Sequence, residues 1–286
     1  MDEIVLKIAD ISRKMRRLII EMLSLAGSGH PGGSLSSVEI IASLYFHIMR
    51  HNPSHPLWRD RDRFILSKGH SCPTLYAALA LSGYFPMDEL KTLRKLESIL
   101  QGHSDRLQTP GVEMSSGSLG QGLSCACGMA LGGKLSQEDF FVFCLIGDGE
   151  TQEGQIWEAA MSASHYKLDN LICFLDYNKL QIDGRVSDVM NIEPIVDKWR
   201  AFGWEVMEID GHNIKEIIEA VDRAKEIKGK PKMIIAHTIK GKGVSFMEGR
   251  VEWHGVAPTK EEAERALKEL EDGTRSNQGC IWKGIA

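Results

Sequence analysis

The chain has 286 residues, 43% hydrophobic and 26% charged, with a formal net charge of -5; this length suits one large domain or two small ones. The mild acidity gives no support to general nucleic-acid or membrane-surface binding, which draw on basic patches. No apolar run approaches the ~20 residues needed to cross a bilayer.

The start, MDEIVLKIADISRKMRR, has no signal-peptide core. Cys72, Cys125, Cys127, Cys144, Cys173 and Cys280 sit mostly among apolar or small neighbours, so free thiols in a reducing, cytoplasmic compartment are expected. Cys125 and Cys127 form the only close pair, and no second pair completes a zinc site.

In chain order, Ile4, Ile8, Ile11, Met15, Leu18 and Met22 recur at helical spacing and predict a helix over about Ile4 to Leu25. The glycines and Pro31 of Gly27–Ser34 break it, and a second helix follows over about Ser37 to Met49. Arg50 to Arg63 is polar and irregular, with His51 and His55, like His47 before them, read as surface residues. Phe64-Ile65-Leu66 predicts a short buried strand, followed by Ser67-Lys68-Gly69-His70, a helix through about Leu81, and another over Asp88 to Leu96.

The stretch Thr109 to Ala130 is rich in Gly, Ser and Cys. A helix with so many small residues approaches another backbone or a ligand closely, which offsets the ~1 kcal/mol that each Gly costs against Ala. Phe140–Ile146 and Leu171–Leu175 are continuously apolar, the pattern of strands covered on both faces, with a helix over about Gln155 to Tyr166 between them. Further on come a helix at Pro194 to Ala201, a strand at Trp204 to Ile209, a helix at Ile214 to Ile227 and a strand at Met233 to Ala236. Asn213 with Glu216, and Thr259 with Glu262 before a final helix, have capping-box spacing. Alternating strands and helices predict an α/β fold with a mostly parallel central sheet flanked by helices and joined by right-handed crossovers. No linker or repeat divides residues 1–273; the polar tail 274–286 is expected to be poorly ordered.

Gly147-Asp148-Gly149-Glu150 ends the first of the two buried strands, and Asp176-Tyr177-Asn178 ends the second. Carboxyl ends of neighbouring parallel strands share one crevice where ligands bind, so Asp148 and Asn178 can meet there. A carboxylate and an amide oxygen, completed by carbonyl, water and phosphate oxygens, suit Mg²⁺. Gly-Asp-Gly is also a common turn; its place between two buried strands favours the metal reading. His30, His70, His103 and His254 each sit beside glycine, in SGHPGG, SKGH, QGHSD and EWHG. Each alone reads equally well as a surface or capping histidine. Four in one setting suggest imidazoles on loops meeting at a cleft. GSLGQG lacks a preceding buried strand and a closing acidic residue, so a dinucleotide site is not supported. There is no GxxxxGK[ST] loop and no GxSxG elbow.

SGHPGG, SKGH, LQGHSD, GSLGQG, GDGETQEGQIWEA, DYNKLQIDG and EWHG together resemble the N-terminal half of the transketolase family, in order from about Ser28 to Gly255. The resemblance implies a thiamine-diphosphate-binding fold and, as cofactors, thiamine diphosphate with Mg²⁺ or Ca²⁺. It implies that Asp148, Asn178 and the Leu180 carbonyl bind the metal. His70 and His254 would contact the diphosphate, with Gly149 packed against it and Leu119 near the ring system. Glu153 would join the hydrogen-bond network behind the metal and toward a partner protomer. His30 and His103 would face sugar oxygens, with His254 also near the reacting centre. The implied reaction is transfer of a two-carbon ketol unit from a ketose (phosphate) to an aldose (phosphate), in carbohydrate metabolism of the pentose-phosphate type, with the cofactor carrying the electrons.

The sequence departs from the family at GSLGQG, where GPLGQG is usual, at Tyr177, where Asn is common, and at SGHPGGSLS, where SGHPGAP is usual. Nothing after Gly255 resembles the domain that holds the aminopyrimidine ring and supplies its activating glutamate. The implied protein is therefore one subunit of a split transketolase, active with a separately encoded C-terminal subunit in an α2β2 assembly. Two alternatives remain: a subunit of another split thiamine-diphosphate enzyme acting on a different sugar or a 2-oxoacid, or a non-catalytic regulatory or scaffold subunit.

Overall fold

The computed structural model describes residues 1–271; the boundary at 273, the tail 274–286 and Cys280 lie outside the described residues. Helix α1 (Asp2–Ala26) buries Ile8, Met15, Ile19, Met22 and Leu23, and Gly27 ends it with a left-handed φ of 62° and its N–H on the Leu23 carbonyl. The break after it is shorter than the glycines suggest. Pro31 opens α2 (Pro31–Ser36), where its fixed φ suits a first helical turn and no N–H is needed. The helix expected over Ser37–Met49 divides into α3 (Val38–Ser43) and a wider turn over Leu44–Ile48. His51 is half-buried, its ring nitrogens 3.1 Å from Tyr84 Oη and 2.6 Å from the Tyr45 carbonyl, so it is not a surface residue.

Strand β1 (Arg63–Leu66) and helix α4 (Cys72–Ser82) follow as expected. The helix predicted over Asp88–Leu96 does not form; a 3-10 stretch, Met87–Thr92, stands there. Leu93 turns extended, and Arg94 takes a left-handed φ of 62° with its N–H on the Leu100 carbonyl at 2.9 Å, which no helix accommodates. Beyond lie α5 (Gln121–Leu135), β2 (Val142–Gly147), α6 (Gly154–His165), β3 (Leu171–Tyr177), α7 (Val186–Val189) and α8 (Ile195–Ala201). The last elements are β4 (Glu205–Asp210), α9 (Ile214–Glu226), β5 (Lys232–His237) and α10 (Lys260–Glu271).

The five strands run parallel in the order β1-β2-β3-β5-β4. Alternate residues of each central strand enter different cores, which is why the apolar runs are unbroken. Phe143, Leu145, Ile172 and Phe174 pack under α1, α3, α4 and α9. Val142, Cys144, Ile146, Cys173 and Leu175 pack under α5, α6 and α8. The Asn213 side chain caps α9 by accepting from the Lys215 and Glu216 N–H groups. Thr259 and Glu262 cap α10 reciprocally. No described helix is long and apolar enough to cross a membrane.

One buried polar knot ties the first layer to the edge of the sheet. Arg16 on α1 donates to Glu39 on α3 at 2.8 Å and to the Lys242 carbonyl at 2.9 Å. His212, after β4, accepts the Ile239 N–H on Nε2 at 2.8 Å, so its proton is on Nδ1, 2.9 Å from Glu39. Burial alone would raise the Glu39 pKa, but the Arg16 guanidinium and the His212 hydrogen bond hold it well below its ordinary 4.5. A carboxyl depressed by folding contributes stability above its unfolded pKa and loses it as pH falls. Glu39→Gln is expected to cost about 3 kcal/mol near pH 7. In thermal unfolding followed by circular dichroism, the variant should lose less stability than the parent between roughly pH 5 and pH 3; parallel pH profiles would show that Glu39 is not a titrating anchor.

Candidate functional site

The register of the sheet sets the site. Gly147, the last residue of β2, pairs with Asp176 on β3, and Tyr177 pairs with His237 on β5. The next residues of β2 and β3 therefore emerge side by side at the carboxyl ends of the strands. Asp148 accepts the Gly149 N–H at 2.8 Å and, on its other oxygen, the Lys179 N–H. Asn178 Oδ1 accepts the Leu180 N–H at 3.1 Å, while its amide donates to Asp176 at 3.2 Å. The Leu180 carbonyl accepts from Lys240 Nζ at 3.2 Å. Burial and the neighbouring Asp176 charge push the Asp148 pKa up, so a cation at this point would be strongly favoured.

All ten residues singled out in the sequence line one cavity of about 350 Å³: His30, His70, His103, Leu119, Asp148, Gly149, Glu153, Asn178, Leu180 and His254. The His30 ring centroid lies 5.3, 6.1 and 5.6 Å from those of His70, His103 and His254, and His70 lies 5.3 Å from His254. Burial, reinforced by nearby cations, lowers every one of these imidazoles: His30 to about 4, His254 to about 3, His70 well below its ordinary value, and His103 less far. All four are neutral at pH 7 and can donate and accept hydrogen bonds. His30 Nδ1 is buried without a partner.

Glu153 sits differently from the expectation. It is exposed at the cavity rim, where it can face another chain, and it is not behind the metal loop. The buried carboxylate there is Glu150, which accepts from Ser67 Oγ and, at 2.9 Å each, from the Gly120 and Gly147 N–H groups. The small-residue helix α5 approaches closely as expected at Gly122, where a Cβ would lie 2.4 Å from Ser67 Oγ, and at Gly133, where it would meet Phe140 at 2.7 Å. A side chain at Gly128 or Gly132 would meet nothing within 4 Å.

The sequence reading missed three further charged residues. Lys68 is buried, paired with Asp176 and donating to Ser37 Oγ at 2.8 Å and the Gly33 carbonyl at 3.0 Å. Asp176 in turn accepts from Ser36 Oγ at 2.6 Å and from Thr238. Lys240 is buried 2.9 Å from His254 Nδ1, its pKa driven down by burial. The two glycines of the Thr238–Gly243 segment, Gly241 and Gly243, were the available signal for Lys240, and both take left-handed φ.

Among the described residues no three His, Cys, Asp or Glu side chains form a metal cage. The donor set is one carboxylate, one amide oxygen and one peptide carbonyl beside a buried ammonium and neutral imidazoles. It fits a hard divalent cation that takes its remaining ligands from phosphate and water, and the same lysine and histidines suit the phosphate oxygens.

Residues 8–273 match the transketolase thiamine-diphosphate-binding domain, and the chain belongs to that family. It is 52% identical over 257 residues to the 6-deoxy-6-sulfo-D-fructose transketolase subunit SqwG of Clostridium sp. (strain MSTE9), covering 90% of this chain and 94% of that one. It is 43% identical over 261 residues to an apulose-4-phosphate transketolase subunit of Phocaeicola vulgatus, covering 91% and 92%. The solved transketolase of Campylobacter jejuni superposes with a TM-score of 0.85 at 37% identity, over 92% of this chain and 43% of that one. The chain thus spans less than half of a whole transketolase.

Breaking a buried ion pair by removing one partner leaves the other charge uncompensated. Lys68→Met is expected to destabilise the chain by about 3–5 kcal/mol in urea unfolding, and Lys68→Met with Asp176→Asn to recover part of that loss. A single variant as stable as the parent would remove Lys68–Asp176 from its structural role.

Proposed function

We propose that this chain is the diphosphate- and metal-holding subunit of a two-chain transketolase-type enzyme, completed by a separately encoded partner. The observation that carries the proposal is the single cavity at the strand ends, in which a three-oxygen cation site and four neutral imidazoles face one another. The names of the subunit-length relatives support the two-chain reading. They also favour a sugar outside the usual pentose phosphates, since one relative is named for 6-deoxy-6-sulfo-D-fructose and the other for apulose 4-phosphate.

When bound, thiamine diphosphate supplies the electron sink that lets a two-carbon ketol fragment leave a ketose and join an aldose. Asp148, Asn178 and the Leu180 carbonyl would hold the divalent metal, and Lys240, His70 and His254 would receive the diphosphate. Gly149 would pack against that group, and Leu119 would give the ring system an apolar wall. Glu153 at the rim would face the partner. His30 and His103, held neutral, would hydrogen-bond sugar hydroxyls and accept or return a proton at a ring nitrogen. The Lys240 ammonium against His254 Nδ1 leaves that nitrogen an acceptor, so the His254 proton is on Nε2.

Mixing the chain with its partner, thiamine diphosphate and Mg²⁺ should give ketol transfer that neither chain performs alone. A donor panel of 6-deoxy-6-sulfofructose, apulose 4-phosphate and xylulose 5-phosphate would rank the sugars. His103→Ala is expected to lower kcat/KM for the donor by roughly 100-fold while cofactor affinity measured by calorimetry stays within about twofold. Asp148→Ala should do the reverse and abolish metal-dependent cofactor binding. Loss of cofactor binding with His103→Ala, or none with Asp148→Ala, would overturn these roles.

A further inference from the structure

Two of the cavity histidines lie on separate turns, Gly29-His30 and Gly102-His103, and one side chain that does not line the cavity bonds the second turn and reaches toward the first. Arg94 holds a left-handed φ of 62°, a conformation costing a non-glycine residue roughly 1–2 kcal/mol. Its backbone is fixed by the N–H bond to the Leu100 carbonyl at 2.9 Å. Its guanidinium donates to the Gly102 carbonyl at 3.3 Å. It lies so close over that residue that a Cβ on Gly102 would stand 2.8 Å from Arg94 Cζ. On the other side, a Cβ on Gly29 would be 3.8 Å from Arg94 Nε. Among the described residues the exposed Arg94 side chain has no carboxylate partner, and its contacts are to the backbone of the two turns. What sets Arg94 apart is its place: a left-handed backbone presents its guanidinium to the two turns that carry His30 and His103.

We infer that Arg94 is a positioning residue for the substrate-facing pair: its guanidinium, lodged between the two turns, sets the spacing of His30 and His103. The inference rests on the ketol-transfer reading of the cavity. The geometry has an electrostatic corollary. His30 is faced by Arg94, His103 and Lys240, with the rings of His70 and His254 beside it. His103 is faced by Arg94 and His30, and by the Gly117 backbone, whose added Cβ would lie 3.2 Å from its ring. The one carboxylate close to His103 in sequence, Asp105, is occupied by the Leu107 N–H and Ser115 Oγ. Burial first, and then the Arg94 charge, lowers the affinity of His103 for a proton. Removing that charge relieves the second effect and leaves the first.

The test is NMR titration of the histidine side chains in the full chain, without cofactor or partner. In Arg94→Met the apparent pKa of His103 should rise by roughly half a unit or more, the effect of one partly screened like charge at close range. Gly102→Ala, which displaces the guanidinium without touching Arg94 itself, should reproduce the rise even if Arg94→Met folds poorly. Arg94→Lys should hold His103 near its parent value. In the reconstituted enzyme, Arg94→Met should raise the donor KM about tenfold or more with cofactor affinity unchanged. An unmoved His103 titration in folded Arg94→Met or Gly102→Ala would overturn the inference. A parent chain that binds no thiamine diphosphate with its partner would instead overturn the functional reading, whatever His103 does.

Discussion

Everything at the functional end of the sheet depends on the buried pair Lys68–Asp176. Neither charge is tolerable there alone, and the pair persists because its remaining hydrogen-bonding capacity is met by Gly33, Ser36, Ser37, Asn178 and Thr238. Those partners come from α2 and the residue after it, the residue after β3 and the segment after β5, while Lys68 itself follows β1. Segments far apart in the chain are thereby pinned around one carboxylate. Asn178 is oriented by the same carboxylate, so the amide oxygen proposed to face the metal is aimed by a charge that never leaves the protein.

The pair also divides the charges of the site. Asp176 takes up Lys68, whereas Asp148, a short way across the strand ends, has only backbone N–H donors as close partners. A buried carboxylate in that position is raised by burial and by its neighbour, and is relieved by an incoming cation. Around it, burial and the nearby cations, Lys68 and Lys240 at His70 and His254 and Arg94 at His30 and His103, keep four imidazoles neutral. On the proposed function, the Asp148 side would take a cation and phosphate oxygens, and the neutral His30 and His103 would take sugar hydroxyls. This separation is what a metal diphosphate and a sugar require of one pocket.

The central strands were legible because each is apolar on both faces, and the histidines because glycine stood beside each one. The missed features have specific causes. Pro31 reads as a breaker, but at the first position of a helix it is a starter. The polar run at Asp88 to Leu96 looks helical until Arg94 is found with its N–H on the Leu100 carbonyl six residues on, a turn that the helical spacing does not reveal. Lys68 and Lys240 are charged residues in loop motifs and Asp176 sits at a strand end, and sequence alone assigns such charges to solvent; only the strand register buries them. Glu150 and Glu153 stand three apart in GDGETQE, and only the turn after Asp148 decides which of them goes inside.

The most direct measurement is the dependence of thiamine diphosphate affinity on Mg²⁺ concentration, in the chain together with its second subunit. Linkage through one shared site requires each ligand to strengthen the other equally. The affinity should rise at least ~10-fold between metal-free and saturating Mg²⁺, and thiamine without its diphosphate should show no such dependence. An affinity for thiamine diphosphate that is indifferent to the metal would contradict a site in which Asp148, Asn178 and Leu180 hold cation and diphosphate together.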